Sequence, residues 1–89
     1  MKAPVEIKSG RLLHPKIARA ARAYTGLTHN ELAVAAGVAA RTIYKLEKDG
    51  SVTHESFGKI TKALQERGVG LLRDDKGNTT GLTFHQQGQ

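Results

Sequence analysis

The sequence predicts a mostly α fold: a compact four- or five-helix domain followed by a C-terminal β-hairpin. Three observations predict it. Between residues 15 and 68, apolar residues recur at three-and-four spacing in short runs that glycines interrupt. After Gly68 the period shortens to two, in two runs flanking the turn-rich Asp74-Asp75-Lys76-Gly77-Asn78. The chain has 89 residues, enough for one modest core and too few for two.

Residues 1–14 read as a basic arm, in which Val5 and Ile7 alternate with Glu6 and Lys8 as in a short strand. Pro15 suits the first turn of a helix, where its missing N–H would be unpaired anyway. That helix is expected to reach about Tyr24, with Ile17, Ala18 and Ala21 inward and Lys16 and Arg19 outward, before Thr25 and Gly26 break it. Thr28 followed by Glu31 is a capping box and opens a second helix over about 28–36, with Leu32, Ala33 and Ala36 on one stripe. Gly37 stops it with a left-handed residue. A third helix is expected over about 39–48. Val38, Ile43 and Leu46 face inward there, while Ala40, Arg41, Tyr44 and Lys45 face outward.

Asp49, Gly50 and Ser51 make a polar loop, and Thr53 caps a fourth helix with Glu55 in its first turn. Phe57, Ile60, Ala63 and Leu64 form its buried stripe and Gly68 ends it. Val69–Arg73 and Thr80–Phe84 are the arms of the hairpin. A lone two-stranded hairpin is marginal in water. It is expected to pack on the helices, to recruit Val5–Lys8 as a third strand, or to pair with another chain. Residues 85–89 read as a flexible tail.

Charge is distributed unevenly. The formal net charge is +6, yet the residues from Leu46 onward hold as many acids as bases. All the excess lies in the half that ends with the third helix, which points to a polyanionic partner. There is no cysteine, which excludes disulfides and thiol-ligated metal. MKAPVEIKSG lacks the apolar run of a signal peptide, and no stretch approaches the ~20 apolar residues of a membrane span. The expectation is a cytoplasmic protein with no membrane partner.

Two short helices joined tightly at Gly37 match a helix-turn-helix unit, whose second helix enters the DNA major groove. The stretch ARAARAYTGLTHNELAVAAGVAARTIYKLEKDG resembles the lambda-repressor-like regulators, the Cro/CI or XRE family, from about Ala18 to Leu64. The pieces that carry the resemblance are Gly26-Leu27-Thr28, Glu31-Leu32-Ala33, Gly37-Val38, Thr42-Ile43 and Leu46-Glu47.

The resemblance implies a transcriptional regulator that binds a double-stranded DNA operator as a homodimer, chiefly as a phage-type or stand-alone repressor. It assigns to DNA Thr28, His29, Ala39, Ala40, Arg41, Thr42, Tyr44, Lys45 and Lys48. Thr28 and His29 stand at a phosphate-contacting position, where His29 replaces the commoner glutamine. Arg41 and Lys45 stand at base-reading positions, and an arginine fork can pair with guanine O6 and N7. Ala39 and Ala40 replace the usual small polar cap and polar reader, leaving Ala40 only a methyl to offer a thymine. Lys45 can serve a phosphate instead of a base, Tyr44 can pack at the helix edge, and Thr42 can support the fold. Arg22 and Glu47 match a structural ion pair between helices one and three.

Other chemistry is poorly supported. The four histidines, His14, His29, His54 and His85, have no helical or finger-like ligand spacing, so no metal or cofactor is expected. Asp74 and Asp75 are turn-formers. No nucleophile, base and orienting acid combine, so an enzyme is a distant reading. Two rivals remain: an antitoxin, with a toxin protein as further partner, and a protein-interaction module that keeps the fold without reading DNA. Ala39 and Ala40 favour the second, while the basic half and Arg41 oppose it.

Overall fold

The computed structural model describes residues 13–85, and the expected strand at Val5–Lys8 and the tail beyond His85 lie outside them. Four helices and a hairpin follow one another: α1 (Pro15–Thr25), α2 (His29–Ala36), α3 (Ala40–Asp49), α4 (His54–Gln65), β1 (Val69–Arg73) and β2 (Thr79–Phe84).

Local chemistry sets the helix ends. His14 caps α1, its Nδ1 accepting from the Lys16 amide at 3.1 Å, with Pro15 opening the first turn. The helix runs one residue further than its periodicity predicts, through Thr25, whose hydroxyl donates to the Arg22 carbonyl at 2.6 Å. At α2 the capping box is complete: the Glu31 amide donates to Thr28 Oγ1 at 3.1 Å and the Thr28 amide to Glu31 Oε1 at 2.9 Å. Gly37, at φ +75°, closes α2 and turns the chain into α3, and its amide donates to the Ala33 carbonyl. Ala39 is the residue before α3 and supplies no side-chain cap, because a methyl accepts no hydrogen bond. Thr53 Oγ1 accepts from the Ser56 amide at 3.0 Å and starts α4. That helix stops at Gln65, short of Gly68, which ends the following turn.

One core joins these elements. Ala18 and Ala21 of α1, Leu32 and Ala33 of α2, Ile43 and Leu46 of α3, and Phe57, Ile60, Ala63 and Leu64 of α4 are all buried. Leu13 and Val69 complete it, each 0% exposed. Burying a leucine fully is worth about 1.5–3 kcal/mol. The segment before α1 is therefore part of the fold from Leu13 onward, a correction to its assignment within a 14-residue arm.

The strands pair antiparallel, with Val69 opposite Phe84 and Leu71 opposite Leu82, and with an irregularity after Leu72. Asp74 shapes the turn by accepting from the Lys76 amide at 2.9 Å and the Asn78 amide at 3.0 Å. Leu71 and Leu82 pack half-buried against the core, and Phe84 meets Tyr24 with ring centroids 4.4 Å apart. Arg73 lies 4.9 Å over the Phe57 ring. The apolar face of the hairpin thus lies partly against its own chain, with Phe84 still 50% exposed. His85 belongs with the hairpin rather than the tail, since its amide donates to the Gly68 carbonyl at 2.7 Å. Among the described residues, no helix is long and apolar enough to cross a membrane.

Candidate nucleic-acid interface

Helix α3 has two unlike faces because its residues alternate at helical spacing. Ile43, Leu46 and Glu47 are buried against α1 and α2, whereas Arg41, Tyr44, Lys45 and Lys48 are exposed. The exposed set forms one wall of a groove of about 660 Å³. Val52, Thr53 and Ser56, from the loop before α4 and its first turn, line the groove as well.

The groove is cationic along its α3 wall, and the first turn of α4 lines it as well. Arg41, Lys45 and Lys48 supply three positive charges, and Asp49 is the one acid lining it. The Ser51 amide donates to Asp49 Oδ1 at 2.8 Å and holds that carboxyl below its ordinary 3.8, with Lys45 and Lys48 adding a smaller effect in the same direction. Asp49 therefore remains an anion through neutral pH, pinned to the loop. The N-terminus of α4 carries roughly half a positive charge from its aligned peptide dipoles. The whole surface suits a chain of negative groups.

Beneath this face, Glu47 ties three helices together. Arg22 of α1 donates to it twice, Nε to Oε2 at 2.7 Å and Nη2 to Oε1 at 3.1 Å. His29 of α2 donates from Nε2 to Oε1 at 3.1 Å, since an ionised carboxylate can only accept. Arg19 Nη1 reaches the Glu47 carbonyl at 3.1 Å, and Arg22 Nη1 reaches the Leu27 carbonyl at 3.1 Å. The Glu47 hydrogen bond is the largest influence raising the Arg22 guanidinium above its ordinary range. Glu47 itself is only 5% exposed, so the pairing compensates a charge withdrawn from water.

The sequence-predicted site residues fall into three groups. Arg41, Thr42, Tyr44, Lys45 and Lys48 line the groove together. Thr28 and Ala39 are exposed away from it, Thr28 with its oxygen engaged in the α2 cap. Two placements differ from expectation. Ala40 is half-buried and packs against the core instead of facing outward, because the first turn of α3 lies against the helices beneath it. His29 turns inward to Glu47 and stacks on Tyr44, with centroids 4.3 Å apart and planes 11° apart. Arg19 is exposed, as its periodicity predicts, and its Nη1 reaches the Glu47 carbonyl.

No sequence pattern marks Val52 and Ser56 as lining residues, and Thr53 is legible only as a cap. The charged hydrogen-bonding partner of His29 is far off in sequence, so no local spacing could have indicated it. Compared with known proteins, the chain matches no family model and no curated protein sequence.

Proposed function

We propose that the protein binds double-stranded DNA through the exposed face of α3 and regulates transcription, chiefly as a repressor. The observation that carries this reading is the joint presentation of Arg41, Tyr44, Lys45 and Lys48 along one groove wall, over a face of α3 locked into the core. A rigid helix with basic groups on its free side is what insertion into a major groove requires. The resemblance to lambda-repressor-like regulators supports the same assignment, with α2 and α3 as the reading unit.

Roles follow from chemistry and placement. Arg41 reads a base, its fork suited to guanine. Lys45 and Lys48 hold phosphates or, for Lys45, a base edge. Ala39 leaves the first amides of α3 without a side-chain cap, and a phosphate oxygen can accept from them. Thr28, at the start of α2, contacts the backbone of the same duplex.

The protein-interaction reading keeps Ala39 and Ala40 in its favour, and the exposed cations along α3 oppose it. In this proposal the chain acts in the cytoplasm as a homodimer on a two-fold operator. Leu71 and Leu82 pack on the core of their own chain, which leaves the hairpin edges, Leu72 and the half-exposed Phe84 for a second copy.

The test is a binding titration of the whole chain on a pool of random duplexes at two salt concentrations. The reading expects selection of a consensus from the pool and an affinity that falls steeply with salt. Binding without selection, or no binding, contradicts it.

A further inference from the structure

We propose that His29 is a positioning residue for DNA readout, which holds the Tyr44 ring on the groove face of α3 so that Tyr44 adds a base contact of its own. This rests on the DNA-binding reading above.

Tyr44 is 54% exposed and lines the groove beside Arg41 and Lys45. An exposed tyrosine ordinarily samples several rotamers, and ordering one on binding costs affinity. Here one side of the ring is already taken. The His29 imidazole lies 4.3 Å from it and 11° from parallel, a stacked pair.

The imidazole is itself fixed. Its Nε2 bonds Glu47 Oε1 at 3.1 Å, and Glu47 is gripped by Arg22 through both carboxylate oxygens. The support therefore runs from the α1 guanidinium through the α3 carboxylate and the α2 imidazole to the α3 phenol. Every member but the last is at least partly buried. No hydrogen bond occupies the Tyr44 hydroxyl among the described residues, so the ring is held by its face while its polar tip stays available.

The ring follows Arg41 by three residues, nearly one helical turn, which places both on the same side of α3. It would meet a base pair adjacent to the one Arg41 reads. The ring edge suits a thymine methyl and the hydroxyl a base edge or phosphate.

Six variants separate this role from a phosphate contact or a purely structural one, by consensus selection from random duplexes with melting temperature measured alongside. His29→Ala and Tyr44→Ala should lose preference at one and the same base pair, distinct from that lost in Arg41→Ala, with affinity for the consensus down roughly two- to tenfold. His29→Phe, which keeps a stacking surface without the bond to Glu47, should restore the preference. His29→Gln, which keeps the bond without the stack, should not. The double variant should be no worse than Tyr44→Ala alone.

The inference is overturned if His29→Ala keeps the full preference, if it weakens all duplexes evenly, or if Gln rescues and Phe does not. A wild-type chain that selects no consensus overturns the DNA-binding reading itself, and this inference with it.

Discussion

Glu47 of α3 receives the Arg22 guanidinium of α1 as a two-bond fork, Nε to Oε2 at 2.7 Å and Nη2 to Oε1 at 3.1 Å. The carboxylate side chain is 6% exposed and the arginine 19%. A planar fork on a planar acceptor fixes angle as well as distance, so this pair sets how α3 lies across α1.

Glu47→Ala strands Arg22 beside a buried vacancy and should cost about 3–5 kcal/mol, toward the lower figure because Arg22 keeps some water. Glu47→Gln keeps an acceptor and should cost less. Urea unfolding of the three chains measures both, and an unchanged midpoint for Glu47→Ala would mean the pair carries no stability.

Two glycines should respond in opposite directions. Gly37 sits at φ +75° between α2 and α3, so Gly37→Ala should destabilise by about 1–2 kcal/mol. Gly58 lies in the exposed interior of α4 with nothing within 4 Å of an added Cβ, so Gly58→Ala should stabilise by about 0.5–1 kcal/mol. Thermal melts decide the signs.

Ala39→Asp should raise stability and weaken DNA binding together. The new carboxylate can cap α3, worth about 0.5–2 kcal/mol. It also sets a negative charge where the proposed phosphate lies. Melting and titration on the same samples test the pairing, and a tighter DNA complex would place the phosphates elsewhere.

Acid should loosen the two polar turns. The backbone amide of Ser51 holds Asp49 below its ordinary 3.8, and that of Asn78, chiefly, does the same for Asp74. A carboxyl depressed in the folded state stabilises it fully above the unfolded value, and that contribution fades as pH falls through the folded one. Asp74→Asn keeps an acceptor without the charge. The advantage of Asp over Asn should therefore be present at pH 5–7 and fade as pH falls below the ordinary 3.8, as read from urea midpoints at each pH.

What could be read from the sequence follows the range of the interactions. Thr28 with Glu31, and Thr53 with its α4 amide, act within a turn, so residue types and spacing suffice to place them. The pattern of Val69, Leu71, Leu82 and Phe84 showed an apolar hairpin face but not what covers it, since alternation is blind to which surface lies opposite. Leu13 precedes Pro15 and belongs to no periodic run, so its full burial had no sequence signature. The arginine–glutamate pair came from the resemblance, because its members stand 25 residues apart. Nothing comparable marked the inward turn of His29, which depends on a partner 18 residues away. The groove was legible on its α3 side alone, since its other lining comes from a different element.

The central claim is that α3 reads sequence while the rest of the basic surface holds the backbone. Consensus selection followed by titration of Arg41→Ala and Lys16→Ala tests it most directly, since Arg41 lines the groove and Lys16 is exposed on α1. The account predicts that Arg41→Ala relaxes preference at one base pair and loses about 1–3 kcal/mol on the consensus, whereas Lys16→Ala weakens every duplex alike and lowers the salt dependence. Equal, sequence-independent losses from both substitutions would contradict it.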